Sequence, residues 1–487
     1  MQLARILVCA VVAEVGLACG CSDKEPDSVQ SSGRPAANAG APNAGGASEP
    51  GGASEPGGAS EPAGASGSAG ASESGGASGS AGASGSAGAS ELGATGNAIS
   101  GLDLWGPPWG RSPVVDSTST AETSTGGGNG ATGPKLIARS ISASGSQTCA
   151  LLSDGSVRCW GYNMHGELGD GNKVPSSVPV TVTGITTAIS VSCGGSHTCA
   201  VLSDASVQCW GGNFNGQLGN GATTGMTVAN PPEAVSGVTN ASALATGFYH
   251  TCASLSGSLQ CWGYNFNGQL GDTTTTNSSA PVPVIGVTGA TVISATWFHT
   301  CALITDGTVR CWGDNFYGQL GNGNKTRTVV PVTASGITDA IHAAAGYGNV
   351  CAVLSDGMVK CWGYNSFGQL GNGTMTNSNT PVAVSDITDA ITVSIGHFHI
   401  CAALNSGSVK CWGYNEYGQL GDGTTTSNPS PVTVSGITDA VAVVLGEYHT
   451  CALLIDGSIQ CWGDNGYGQL GDGTKTTSPL PVTVRGS

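Results

Sequence analysis

This sequence predicts an all-β chain that closes into a seven-bladed β-propeller of four-stranded blades, and three observations carry that prediction. The stretch "CWGYNEYGQLGDG" at 411–423 recurs seven times in near-copies. Its tryptophans, Trp160, Trp210, Trp262, Trp312, Trp362, Trp412 and Trp462, stand 50 residues apart with one interval of 52, a period typical of propellers and solenoids. Inside each period, short β-favouring runs are divided by Gly, Asp, Asn and Pro, the pattern of several short strands. Helix is argued against, because no apolar run holds a 3.6-residue period for three turns and the chain carries 80 glycines in 487 residues.

One unit shows the elements in order. In "DAVAVVLGEYHTCALLIDGSIQCWGDNGYGQLGDGTKTTSPLPVTV", residues 439 to 484, the strands read "AVAVV", "TCALL", "SIQCW" and "PVTV". Seven such units stack face to face as blades. The first unit starts at "KLIARSISAS" with no "PVTV" before it, and the chain stops just after "PVTV" at Pro481 to Val484. The expectation is that this last strand is spare, completes the first blade and so closes the ring.

The consensus "GxxHTCALLSDGSVxCWGxNxxGQLGxG" resembles the repeat of the regulator of chromosome condensation family, over residues 135–487. All seven units keep Trp-Gly, the Asn two residues later and the following Gly-x-Leu-Gly; only Glu167 replaces the Gln. The resemblance implies a seven-bladed propeller. In that frame Trp fills the gap between blades, Gly allows close backbone approach and positive φ, and Asn bonds its own turn. Each copy of the loop then serves blade packing.

The chain ahead of the repeats divides in two. Residues 1–21, "MQLARILVCAVVAEVGLACGC", place Arg5 before an apolar run too short to span a bilayer, as in a cleaved export signal. Glu14 interrupts that run. The ending "GLACGC" resembles a bacterial lipoprotein cleavage box, which implies lipidation of Cys21 or Cys19, although neither has the usual Leu three residues earlier. Plain secretion is the alternative, and a buried N-terminal helix is disfavoured by the tether-like residues after it. Residues 22–134 are Gly, Ala, Ser, Pro and Glu with near-copies of "GGASEP", too poor in apolar surface to offset chain entropy. They read as a disordered tether with a root-mean-square span of roughly 55 to 65 Å. One apolar island, "LDLWGPPWGRSPVV" at 102–115, carries Trp105 and Trp109. It is expected either to dock on the propeller or a partner, or to remain solvated linker.

Fourteen cysteines form seven pairs inside units: Cys149 with Cys159, Cys199 with Cys209, Cys252 with Cys261, Cys301 with Cys311, Cys351 with Cys361, Cys401 with Cys411, and Cys451 with Cys461. In "CALLSDGSVRC" a three-residue loop sets the two cysteines opposite each other. In "CASLSGSLQC" one residue is lost from the loop and a two-residue Ser256-Gly257 turn keeps them opposite. Facing is preserved, as cross-strand disulfides require, with free buried thiols as the alternative. The spacing disfavours zinc, disulfides fit export, and Cys193 reads as a small buried residue. His197, His250, His299, His399 and His449 share one repeat position with Gln147 and Asn349. That mixture points to a structural hydrogen bond between loops rather than to metal ligation. Asp154, Asp204, Asp306, Asp356 and Asp456 fall in turns, mostly "DG".

From 135 to 487 there are 11 Lys and Arg against 19 Asp and Glu, a net of −8 with no basic run, so nucleic acid is a poor partner. No Ser/His/Asp set, carboxylate pair or phosphate loop can be placed. The chain is read as a monomer that is not an enzyme and takes no metal or cofactor. In an antiparallel blade the "GxxH" and "GxNxxGQLG" loops lie at the same end. Their variable positions hold Tyr249, Trp297, Phe298, Tyr347, Phe398 and Tyr448 in one loop and Phe214, Phe266, Phe316, Tyr317, Phe367, Tyr417 and Tyr467 in the other. The leading expectation is a binding module tethered to the cell envelope by a lipid anchor alone, at the outer membrane or cell surface, taking a protein or glycan on these rings. The bland alternative is that the rings only pack between blades. Relatives implied by the resemblance act on the small GTPase Ran and on chromatin, which suits an exported acidic chain poorly. A secreted β-lactamase inhibitor protein is similar in architecture, so enzyme inhibition is the runner-up, with a propeller hydrolase or lyase third.

Overall fold

A computed structural model describes residues 137–487 apart from 226–229. Cys19, Cys21, Trp105, Trp109 and the tether lie outside the described residues. Within them are seven four-stranded antiparallel sheets and no helix. Blade 1 runs through β1 (Ala138–Ser144), β2 (Gln147–Leu152), β3 (Val157–Gly161) and β4 (Ser176–Thr181), hydrogen-bonded in that order. Blades 2 to 7 repeat it over residues 188–234, 241–283, 290–333, 340–383, 390–433 and 440–483. The expected strands of the last unit hold, with the outer one set earlier, at Ser478–Thr483.

The expected spare strand is not found. Each sheet takes four consecutive strands, so the segment at Ser478–Thr483 is the outer strand of blade 7 and blade 1 has its own in β4. The reason lies in the count. Seven third strands each need an outer neighbour, the connecting loop folds back at once to provide it, and seven such strands exist. Blades 7 and 1 therefore meet as any two neighbours do, by face-to-face packing. One buried cluster joins Ala442, Val444 and Leu453 of blade 7 to Ile141, Ala143 and Trp160 of blade 1.

The core is thus seven layers between blades. Each tryptophan of the repeat is fully buried and packs on the blade before it; Trp210, for example, lies in one cluster with Leu151, Val157 and Leu168. Truncating a ring so buried costs about 3 to 5 kcal/mol. The second Gly of Gly-x-Leu-Gly is what lets the ring in. At Gly219, φ is +69° and an added Cβ would stand 2.6 Å from Trp262 Nε1.

All seven cysteine pairs are bonded across the second and third strands, with Cα separations of 4.0 to 4.1 Å. Cys149 is bonded to Cys159, Cys199 to Cys209, Cys301 to Cys311 and Cys351 to Cys361. Cys401 is bonded to Cys411 and Cys451 to Cys461, and the shortened hairpin joins Cys252 to Cys261 in the same way. The register explains this, because it sets Cys149 directly against Cys159, and Cys252 against Cys261. The alternative of free buried thiols is thereby excluded for these fourteen. Cys193 is free and buried.

Candidate functional site

Both kinds of loop named above sit on one face, and a repeated lock between blades holds that face in place. The backbone carbonyl of the loop Gln, or of Glu167, accepts the indole N–H of the next blade's tryptophan at 2.8 to 2.9 Å in all seven interfaces. In five interfaces the same carbonyl also accepts a threonine hydroxyl from that blade, as Thr251 Oγ1 to Gln217 O at 2.9 Å. With its proton spent there, the threonine oxygen can only accept from histidine. His197, His250, His399 and His449 accordingly donate from Nε2 to Thr251, Thr300, Thr450 and Thr148 at 2.8 to 2.9 Å.

These histidines are neutral structural donors. Burial pushes His197, His250, His299, His399 and His449 down to about 3. Glycine makes room for the ring: at Gly194 a Cβ would lie 2.5 Å from His197 Cε1. The structural reading of the histidine position holds, although the bond runs from strand to strand between blades rather than loop to loop. In a fifth interface Gln147 Nε2 donates to Thr198 Oγ1 at 3.4 Å, and the remaining two lack the bond. Opposite His299 the next blade has Val350 in place of threonine, and opposite Asn349 it has Ile400. His299 Nε2 and the Asn349 amide are left without hydrogen-bond partners, while Thr296 Oγ1 takes His299 Nδ1 at 2.9 Å.

The long loop between third and outer strands is pinned from within. Asn265 Oδ1 accepts Leu270 N–H at 2.9 Å, and its Nδ2 donates across the loop to Thr276 O at 3.1 Å. Gln269 Oε1 accepts Asn267 N–H at 3.0 Å. Glu167 does the same for His165 N–H at 2.9 Å, but its Oε1 is buried without a partner, and burial pushes its carboxyl up to about 8. The turn aspartates on the other face accept from the residue two ahead, as Asp154 Oδ1 from Ser156 Oγ at 2.6 Å, which holds Asp154 below the usual carboxylate range. Among the described residues no group of three or more His, Cys, Asp or Glu stands together as a metal site would need.

On this frame the predicted rings form one connected layer. Phe398 touches Tyr347 at 5.7 Å and Phe367 at 5.0 Å, so short and long loops do share a face. Tyr249 meets Phe214, Tyr448 meets Tyr417, and Tyr162 meets Tyr467 across the seam of blades 1 and 7. Burial pushes the Tyr162 phenol up to about 12, and burial with the Tyr414–Glu416 bond raises Tyr414, so both are neutral.

The variety of residue types at the repeat position of Trp297 predicts a solvent-facing site, and the structure corrects that expectation. Its column reads Gly145, Gly195, Phe248, Trp297, Tyr347, His397 and Glu447, nearest the axis. Trp297 is half-buried, stacked on Phe248 at 4.0 Å and near-parallel to His397 at 5.6 Å, with Nε1 buried and unpartnered. His397 Nδ1 lies 3.3 Å from Glu447 Oε1, and both residues are buried. Residue types vary because unlike side chains fill one axial space between them. Tyr347, Phe398, Phe298, Tyr249 and Tyr448 are likewise half-buried.

Exposure concentrates at the tips of the long loops. That column reads Met164, Phe214, Phe266, Phe316, Ser366, Glu416 and Gly466. Met164, Phe266 and Phe316 are 52, 63 and 71% exposed, Phe214 is half-buried, and these four lie on consecutive blades. The next column supplies Tyr317, Phe367, Tyr417 and Tyr467 on blades 4 to 7, of which Tyr417 and Tyr467 are exposed. The rings expected from the sequence include Phe214, Phe266, Phe316, Tyr317 and Tyr417, while Met164 is not among the residues expected there. Aligning the tip column alone reveals the four-blade arc.

Known proteins share this fold. The RCC1-like domain matches residues 76–400, and the regulator of chromosome condensation (RCC1) repeat matches 406–453 and 456–487. Among solved structures, human WBSCR16 is 23% identical with a TM-score of 0.60, covering 67% of this chain and 93% of its own. Yeast RCC1 (Prp20), solved bound by Kap60, is 19% identical at TM-score 0.61, covering 76% and 90%. Prp20p of Saccharomyces cerevisiae, solved separately, is 19% identical at 0.59, covering 72% and 87%. No curated protein matches the chain. The seven blades, their shared Trp–Gln lock and the family match across most of the sequence together make this chain a member of the RCC1-like family, built of regulator of chromosome condensation repeats.

Proposed function

We propose that this chain is a binding module, held at the cell surface on its Gly/Ser-rich tether, that takes a protein partner on the loop face of the propeller. The observation that carries the reading is the arc of Met164, Phe214, Phe266 and Phe316 on four consecutive blades. Its exposed side chains stand on loops that Asn and Gln hold rigid, and interfaces are built on apolar anchors on rigid supports. The half-buried rings behind them supply the supporting layer. Prp20p was described with its binding to Gsp1p and histones, and a protein partner is the reading carried over here; the net charge of −8 over 135–487 gives no ground for nucleic acid. Surface placement rests on the export-like first 21 residues, the tether composition and the seven disulfides.

The test compares the unaltered chain with Phe266→Ser/Phe316→Ser as bait for envelope extracts, beside a glycan array. One protein retained by the first and lost by the second, at an unchanged melting temperature, supports the reading. Equal retention by both defeats it, and array binding that the double variant abolishes replaces protein by glycan.

A further inference from the structure

The opposite face, where the chain enters the propeller, carries a second apolar feature. Each innermost strand slips register against its neighbour near its start, between Ala188 and Ser190 in blade 2 and between Ala340 and His342 in blade 5. The residue left unpaired by such a bulge is turned out of the ladder. In chain order these residues are Arg139, Ile189, Ser242, Thr291, Ile341, Ile391 and Val441. Ser242 and Thr291 bond back to their own blades, to Ser254 O and Leu303 O at 3.2 Å. Of the aliphatic ones, Ile391 and Val441 rest partly against buried clusters of the ring and show only one side to solvent. Ile189 and Ile341 are 56 and 50% exposed, and Ile391 and Val441 are half-buried. Blades 5, 6, 7 and 2 thus form an aliphatic arc around the axial opening, with polar residues on blades 3 and 4.

Blade 1 interrupts that arc, and there the chain arrives. Ala138 N–H donates to Gly457 O at 3.1 Å, and Ile137 lies exposed beside that turn. Before Ile137 the sequence has two aromatic residues only, Trp105 and Trp109, around Pro107-Pro108. The 28 residues from Trp109 to Ile137 span roughly 30 Å as flexible coil, enough to reach any part of an opening at whose edge they are rooted. A flexible link of that kind gives an effective concentration on the order of millimolar, so a weak apolar contact suffices. The paired prolines favour an extended form before docking and lower its ordering cost.

We propose that the segment around Trp105 and Trp109 docks back onto this entry face, its rings covering the aliphatic arc of Ile189, Ile341, Ile391 and Val441. The propeller then holds its own tether at the axial opening and keeps its loop face turned away from the point of attachment. This is independent of what the loop face binds.

The experiment uses the full chain with Trp109→p-benzoylphenylalanine. On irradiation, cross-links within one molecule are expected on peptides carrying Ile341, Ile391, Val441 or Ile189. Ile189→Asp with Ile341→Asp, both at exposed positions and therefore compatible with folding, is expected to lower that yield at least fivefold at an unchanged melting temperature. Should this pair unfold the ring, Arg139→Glu with Ile341→Ser serves instead. Cross-links to the Phe266 or Phe316 loops, cross-links only between molecules, or a yield indifferent to the aspartates would each overturn the proposal.

Discussion

Glu167→Gln tests the loop frame by its dependence on pH. Glu167 is the one acid in a column of glutamines, fully buried, with Oε1 unpartnered and its carboxyl raised from 4.5 to about 8 by burial. The folded state therefore keeps its proton between those values while the unfolded chain loses it. The unfolded state binds fewer protons, so stability falls as pH rises through this window, by about 1.36 kcal/mol per unit. At pH 7 the accumulated cost is roughly 3 kcal/mol, and above the folded pKa it levels off. Glutamine keeps the bond to His165 N–H, as Gln217 does to Asn215 N–H at 2.8 Å, without a titrating group. The variant should match the parent near pH 4 and exceed it by roughly 3 kcal/mol at pH 7, read by equilibrium urea unfolding with disulfides intact. A difference that stays flat from pH 4.5 to 8 would refute the neutral buried carboxyl.

The histidine locks give the opposite slope at lower pH. Five histidines at about 3 and His342 at about 4 stay neutral in the fold, so the unfolded chain binds more protons below about 6.5 and stability drops as pH falls, each costing about 2 kcal/mol by pH 5; a melting temperature unchanged between pH 6.5 and 5 contradicts this. Val350→Thr restores the missing lock, with Gln319 O and His299 Nε2 both placed to use the hydroxyl, and should stabilise by about 1 kcal/mol in the same urea assay. Thr450→Val removes an existing lock to His399 and Gln419 O and should cost about 1 to 3 kcal/mol. Thiol counting on denatured, unreduced 135–487 should find Cys193 alone reactive, and each short disulfide loop is worth about 2 to 3 kcal/mol.

Much of this is legible from spacing. Period, strand number, cysteine facing and the roles of Trp, Gly and Asn all follow from local chemistry repeated seven times, where each copy checks the others. The remainder depends on contacts between units. Closure by a spare strand is a wrong expectation because nothing in "PVTV" itself says whether it pairs with the strand before or after it; only the short return of the loop decides. The exposure expected of Trp297 fails because variety in a column means exposure only where neighbours do not share one space, and Phe248, Trp297 and His397 share theirs. The threonine that completes each histidine lock lies one residue beyond the histidine column, in the next unit, so its loss at Val350 and Ile400 is visible only once blades are set side by side.

Closure without strand exchange has a consequence for how such a ring can be cut or grown. Each blade is one uninterrupted stretch of chain, and the seam between blades 7 and 1 uses the bonds of every other seam, Trp160 Nε1 to Gln469 O at 2.9 Å and His449 Nε2 to Thr148 Oγ1 at 2.8 Å. The first and last strands of the ring also meet: Ala138 N–H bonds Gly457 O, and Ser487 Oγ, just past the last strand, bonds Ile459 O, at 3.1 and 3.4 Å on the same turn region. Position along the gene and position around the circle are therefore uncoupled. A short linker across that junction would let the chain start at any blade, and a duplicated 50-residue stretch enters as a whole stave with both of its joints already shaped.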